Sequence, residues 1–120
     1  MADATSEITR DAWREYFDKL SRELGTTKAT VEIEASDLGA QVQAEGLVLS
    51  GISYDDRDDV LVIGLSPGGP GEVLEHIVSA PRRILLDTAA GVIPGAVDVE
   101  DAEGARTLLR LRPAPALAAE

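Results

Sequence analysis

The first candidate for chemistry is His76, because an imidazole is the only side chain in this sequence whose ordinary pKa lies near neutrality. With the carboxylate of Glu72 or Glu75, or with the aspartates of residues 55–59, it could act as a general acid or base, or form part of a metal-assisted hydrolase. His76 alternates with Val73 and Ile77, which places it on the face opposite them. A single imidazole does not form a conventional metal site by itself, so a surface or edge histidine is the simpler interpretation.

The second candidate is a run of closely spaced carboxylates formed by Asp55, Asp56, Asp58 and Asp59. Such a density of oxygen ligands can bind Ca²⁺ or Mg²⁺. The spacing of an EF-hand loop is not met, because the sixth position is Val60 rather than glycine and the twelfth is Ser66 rather than glutamate. We therefore predict a solvated turn, with weak cation binding as the alternative.

The third candidate is Ser66, which lies in a G-x-S-x-G pattern after an apolar run and so resembles the nucleophile elbow of α/β-hydrolases. In that motif the residue after the serine donates its backbone N–H to the oxyanion, but Pro67 has no N–H. The same loop lacks the Lys-Ser/Thr ending of a phosphate-binding P-loop. We therefore predict no catalytic residue, no cofactor and no metal site, and the motifs do not reveal a biochemical function.

The charge balance limits the partners. The chain has 11 Lys and Arg against 22 Asp and Glu, so its formal net charge is −11, which repels nucleic acids and anionic membranes. Cysteine is absent, which fits a reducing cytoplasm, and no segment is apolar over the length needed to span a bilayer. Frequent Ala, Arg, Gly and Val indicate a GC-rich bacterial genome. We expect a cytoplasmic protein that binds neither nucleic acid nor membrane.

The elements that must position these residues begin with one helix, predicted over residues 10–24. Thr9 is its expected N-cap, Gly25 its stop, and Ile8 is placed to pack on Trp13 as a hydrophobic staple. The apolar stripe of this helix consists of Trp13, Phe17, Leu20 and Leu24. Since aromatic residues make up only 3% of the chain, the helix must cover an aliphatic core.

After the helix the pattern changes to the alternation of β-strands. Residues 28–35 and 40–45 predict a hairpin that closes at Ala35 and Ala40 and pairs Ile33 with Val42. Its polar side would carry Glu32, Glu34, Gln41, Gln43 and Glu45. The simpler interpretation of this side is the solvent face of a sheet, and the functional one is a docking face for a basic partner.

Further strands are predicted at residues 60–65, in a central position, and at 73–79 and 83–88. A second hairpin of residues 96–100 and 106–112 closes with Glu100 opposite Arg106. These patterns predict one α+β domain over residues 1–112, in which the helix packs on a mainly antiparallel sheet or small barrel of six to seven strands. Residues 113–120 show no periodicity and are predicted to form a disordered tail.

With these elements in view, the chain resembles a family of small uncharacterised bacterial proteins that are grouped only as a domain of unknown function. The resemblance covers residues 8–111 and implies no activity, cofactor or site residue. The segments that carry it are RDAW at 10–13, FDKLSR at 17–22, DLGAQVQAEGL at 37–47, GI at 51–52 and TLLR at 107–110.

A clear strand pattern without an intact catalytic constellation favours a non-enzymatic domain that binds an unknown protein partner or forms a homo-oligomer, such as a homodimer. The contact would involve a sheet edge or the acidic face. Two alternatives stay open at this point. One is a metal-assisted or acid/base hydrolase centred on His76, and the other is a barrel that holds a small ligand.

Overall fold

A computed structural model describes residues 5–35, 39–67, 72–88 and 93–113 of the chain. A 3₁₀ turn at Arg10–Ala12 leads into one helix, α1, at Trp13–Glu23. The strands are β1 (Thr5–Ile8), β2 (Lys28–Ala35), β3 (Gly39–Asp55), β4 (Val60–Ser66), β5 (Leu74–Ser79), β6 (Pro81–Asp87), β7 (Ala96–Asp101) and β8 (Arg106–Arg112).

All eight strands form one antiparallel sheet in the order β1-β6-β7-β8-β2-β3-β4-β5. The predicted α+β class is confirmed, but the sheet has eight strands rather than six to seven. It is also open, with β1 and β5 at its two edges, so the barrel alternative is wrong. β1 was missed because it has only four residues and no apolar alternation, so no period-2 signal distinguishes it from the approach to the helix.

The core lies between α1 and the inner face of the sheet, and the helix packs mainly against β3. The predicted apolar stripe is confirmed, because Trp13, Phe17, Leu20 and Leu24 are all buried. The start of the helix differs from the prediction. The Thr9 hydroxyl donates to the Asp11 carboxylate at 2.8 Å instead of capping the helix, and the 3₁₀ turn precedes Trp13.

The register of the first hairpin is shifted by one residue from the prediction. Ala35 pairs with Gly39 and Ile33 pairs with Gln41, while Glu32 faces the exposed Val42. Residues 39–43 are exposed in the structure, so burial does not select between the two registers, and the turn and the irregularities farther along the pair decide instead. Gln41 therefore lies on the side of Ile33, away from Glu32.

The second hairpin has the predicted register, with Glu100 opposite Arg106 and Val99 opposite Thr107. β4 was predicted in a central position, but it is the seventh of the eight strands and lies next to the edge strand β5. Of the predicted tail, residues 114–120 lie outside the described part of the chain. The described chain contains no helix with the length and apolar character that a membrane crossing requires.

Candidate interaction surface

Strand β5 forms one edge of the sheet. It pairs with β4 on one side, from Leu74 opposite Leu65 to Ser79 opposite Val60, and no described strand pairs with its other side. An edge strand presents a row of backbone N–H and C=O groups to solvent, which is a template for pairing with another chain. The edge is six residues long, and its amide groups follow a regular register without a bulge.

Exposed apolar side chains concentrate at this edge. Val73 and Leu74 are both 55% exposed and Ile77 is 52% exposed, and among the described residues the one other large hydrophobic side chain of this kind is Val42. Ile77 lies opposite Val62 on the outer side of the sheet, and Val62 is itself only partly buried. We call the strand together with Val73 the β5 edge. It combines open backbone groups with apolar side chains that are about half exposed to solvent.

The opposite edge has a different composition. β1 is four residues long, and its outward-facing Glu7 forms an ion pair with Arg83 of β6, with 3.4 Å between Arg83 Nε and Glu7 Oε1. Short length and charge are features that keep an edge strand from pairing with other chains. The two edges of the sheet are therefore not equivalent: β1 is short and carries an ion pair, whereas the β5 edge is longer and carries exposed apolar side chains.

His76 lies within β5 opposite Ile63, which places it on the inner side of the sheet, and it is partly buried. It borders an open hollow of about 230 Å³ that Asp101 and Glu103 also line. Burial lowers the pKa of His76 below 6.5. The Asp101 carboxylate accepts the backbone N–H groups of Glu103 and Ala105, so it serves the β7–β8 loop.

The other residues proposed for an acid/base site are not assembled around His76. Glu75 alternates to the opposite side of β5, and Glu72 is exposed before the strand begins. Ser66 ends β4 on the outer face, whereas His76 lies on the inner one, so the two do not form a nucleophile and base pair. No three His, Asp or Glu side chains are grouped to hold a metal ion in the part of the chain that the structure describes.

The aspartate run forms the turn between β3 and β4, and most of its carboxylates have separate tasks. Asp55 Oδ1 accepts the backbone N–H of Arg57 at 2.9 Å and of Asp58 at 3.3 Å. Asp56 forms an ion pair with the helix, with 3.8 Å between Asp56 Oδ2 and Arg14 Nη1. Asp59 turns back toward the helix. Because these oxygens point to different partners, the turn is held by local bonds and does not present a shared oxygen cage.

Asp59 belongs to a cluster that sequence reasoning missed. The cluster, here called the helix corner, consists of Arg10, Trp13, Tyr54 and Asp59. Arg10 Nη1 donates to the Tyr54 hydroxyl at 3.0 Å and its Nη2 donates to the Pro81 carbonyl at 2.9 Å. The guanidinium carbon lies 4.6 Å from the centre of the Trp13 ring, a cation–π contact. In the sequence, only the RDAW segment at residues 10–13 drew attention to this region. It did not indicate which distant residues Arg10 would contact.

Electrostatics in the helix corner follow from these contacts. The Tyr54 hydroxyl donates to Asp59 Oδ1 at 2.7 Å, and this bond holds the pKa of Asp59 below 3.8, with help from Arg10. Burial, followed by the bond to Asp59, raises the pKa of Tyr54 above 10. Each polar group here has a partner, and the arrangement fastens the start of α1 to the β3–β4 turn and the start of β6.

The acidic face predicted for the first hairpin is mixed in charge. Glu32 and Glu34 lie on the outer face of the sheet, together with two arginines of β8. Arg110 Nε lies 3.4 Å from Glu32 Oε2, and Arg106 forms an ion pair with Asp98. Gln41 lies toward the other side, while Gln43 and Glu45 are exposed beside the irregular part of the β2–β3 pairing. The five predicted residues therefore do not form a continuous acidic plane.

Comparison with known proteins gives a family but no activity. Residues 4–120 match a family of unknown function, DUF5335, and the chain therefore belongs to that family. It is 35% identical over 111 residues to an uncharacterised protein from Aquifex aeolicus (strain VF5), and this match covers 92% of the chain and 95% of the relative. No solved structure matches the chain.

Proposed function

We propose that this protein is a self-associating domain that forms a homodimer by antiparallel pairing of two β5 edges. The observation that carries the proposal is the coincidence, on one edge strand, of unpaired backbone groups and exposed apolar side chains. Two copies related by a twofold axis would extend each sheet into the other, satisfy the open backbone groups and remove Ile77 from water. Such pairing is closed, so it ends at two chains.

The sequence of β5 favours pairing with its own copy. With the axis at Ile77, the two Ile77 side chains face each other, Glu75 faces Ser79 and His76 faces Val78. This register keeps both faces of the sheet consistent and avoids placing one Glu75 against the other, which would be unfavourable. Burial of two isoleucines at the centre supplies the apolar contribution. An edge contact alone is small, so a weak, reversible dimer is expected.

The other proposed contacts have less support. The outer face carries arginines of β8 beside its glutamates, which weakens its attraction for a basic partner. Pairing of β5 with the β1 edge of another copy would be head to tail and would continue into a filament. We place the dimer in the cytoplasm, a proposal that the lack of cysteine supports.

Cross-linking tests the dimer and its register together. The chain has no cysteine, so the Ile77→Cys variant has a single thiol. In the proposed register the two Cβ atoms at position 77 would be about 4.5–5.5 Å apart, close enough for a disulfide after slight adjustment. We expect mild oxidation to give a covalent dimer on non-reducing gels. The matched control is Val42→Cys, because Val42 is 57% exposed but lies away from the β5 edge.

Sedimentation velocity over a wide range of protein concentration provides the second measurement. We expect the wild type to shift from monomer to dimer, Ile77→Lys to remain a monomer, and Val42→Lys to behave as the wild type. A wild type that stays monomeric at every concentration, or equal cross-linking of the two cysteine variants, would contradict the proposal. Efficient cross-linking through His76→Cys instead of Ile77→Cys would refute this register.

A further inference from the structure

The outer face of the β2–β8 pair ends in a local excess of positive charge. The register places Lys28 directly opposite Arg112, and both residues are exposed. Arg110 is the next outward residue of β8 and lies opposite Thr30. We call Lys28, Arg110 and Arg112 the basic corner. It is unusual in a chain whose formal net charge is −11.

The other arginines of this face have carboxylate partners, as in the pairs Arg83–Glu7 and Arg106–Asp98. Arg110 also has one, Glu32. Lys28 and Arg112 form no ion pair with any described residue. Like charges directly opposite each other on neighbouring strands are destabilising, so this arrangement has an energetic cost that a bound anion would offset.

The shape of the surface suits a small anion. The basic corner borders an open depression of about 360 Å³ that also includes Thr30, Glu45 and Gly46. The backbone N–H of Gly46, a residue with a φ of 67°, donates to the Thr30 hydroxyl at 3.3 Å. That hydroxyl can in turn donate its own proton into the depression. Three cations and one hydroxyl donor therefore border the space, against the carboxylate of Glu45 and that of Glu32, which is paired with Arg110.

We propose that the basic corner binds the phosphate group of a small solute. A dianion is attracted by the two unpaired cations and can accept hydrogen bonds from the guanidinium group of Arg112 and the hydroxyl of Thr30. Charges beyond the Debye length, about 8 Å at physiological ionic strength, are largely screened. A small solute therefore experiences the local positive field, whereas an extended polyanion also meets the many carboxylates of the remaining surface.

Inorganic phosphate is the probe for this site. Uniformly ¹⁵N-labelled protein is titrated with phosphate at constant ionic strength, with sodium chloride as the reference, and the backbone amide signals are followed. We expect saturable shifts centred on Gly46, Lys28 and Arg112, with a dissociation constant in the millimolar range or below. Arg112→Gln should weaken the binding at least tenfold, whereas Arg83→Gln, an arginine on the same face, should leave it unchanged.

Charge reversal separates ligand binding from a structural role. In Arg112→Glu the new carboxylate would face Lys28, so we expect the thermal midpoint to rise in phosphate-free buffer while phosphate binding is lost. Shifts that match those with chloride, or the same affinity in Arg112→Gln, would overturn the proposal. Binding to phosphatidylglycerol vesicles without saturable binding of free phosphate would also overturn it, because the ligand would then be a membrane surface. The outcome is independent of the β5 dimer.

Discussion

Asp59 contacts both the helix corner and the end of the β5 edge, but the two regions differ. The polar groups of the helix corner are paired with each other, whereas those of the β5 edge are open to solvent. The Asp59 carboxylate bonds with Tyr54 in the helix corner, and the Asp59 backbone carbonyl accepts the N–H of Ala80 just after β5. In the helix corner a guanidinium, a phenol and a carboxylate share bonds over a buried indole. At the β5 edge, backbone groups and Ile77 face solvent.

This difference separates stability from function. A cluster whose donors and acceptors are all paired holds elements in place, and its loss lowers the free energy of unfolding. An exposed apolar strand at an edge adds little to the stability of one chain and exposes it to association. We therefore predict that the helix corner contributes mainly to stability and that the β5 edge is the functional candidate. Three substitutions test this assignment.

The largest effect is expected for Trp13→Ala. The Trp13 side chain is 1% exposed, contacts the Tyr54 ring at a centroid distance of 5.1 Å, and its Nε1 donates to the Ile8 carbonyl at 3.0 Å. Truncation should lower the free energy of unfolding by about 3–5 kcal/mol, measured by urea denaturation followed by circular dichroism. Trp13→Phe keeps most of the volume and should lose less. A loss below about 1 kcal/mol for the alanine variant would show that the helix corner does not anchor α1.

An intermediate effect is expected for Tyr54→Phe, which removes the hydroxyl that bonds with both Arg10 and Asp59. This substitution should lower the free energy of unfolding by about 1 kcal/mol near neutral pH. The pKa of Asp59 is depressed in the folded state, so its contribution is present above pH 3.8 and is lost as the pH falls through the folded value.

The difference between wild type and Tyr54→Phe should therefore shrink as the pH falls below 3.8, since the variant lacks the bond that depresses the Asp59 pKa. Urea unfolding at neutral and at acid pH measures this change. Asp59→Asn is the control, because it removes the titrating carboxylate while asparagine tolerates the φ of 56° at this position. A difference that stays constant with pH would show that the two residues are not coupled.

The smallest effect on stability is expected for Ile77→Lys. Because Ile77 is 52% exposed on an edge strand, its replacement should change the free energy of unfolding of the monomer by no more than about 0.5 kcal/mol, measured at a protein concentration low enough to dissociate the dimer. The same substitution is expected to abolish association. A large loss of monomer stability would mean that Ile77 is part of the fold, and the contrast between the two regions would disappear.

Several elements were predictable from local pattern alone. The spacing of Trp13 and Phe17 indicated the buried helix face, and the alternation in residues 106–112 gave both the strand and its register with β7. In β7 and β8 the inward positions are buried on every second residue, so a one-residue slip would turn the apolar groups toward water. Where β3 runs exposed beside β2 this penalty is absent, and the predicted pairing was off by one residue.

The candidate sites were less predictable because they depend on residues far apart in the chain. His76 and the aspartate run were chosen for their chemical type, yet neither is assembled into a cluster in the described structure. The bond between Arg10 and Tyr54 spans 44 positions, and no spacing rule connects them. The edge position of β5 follows from strand order, and the pattern of a single strand does not contain that order.

The amino-acid sequence by itself determined the fold class, the buried face of the helix, most strand positions and the family. The first three follow from local hydrophobic periodicity, and the family follows from sequence similarity to its members. Tertiary structure alone decided which strands lie at the edges of the sheet, which arginines form ion pairs with carboxylates and which apolar side chains remain exposed to solvent. The physical reason is that hydrophobic periodicity acts over a few residues, whereas strand order and ion pairing depend on contacts between segments that are distant in the chain.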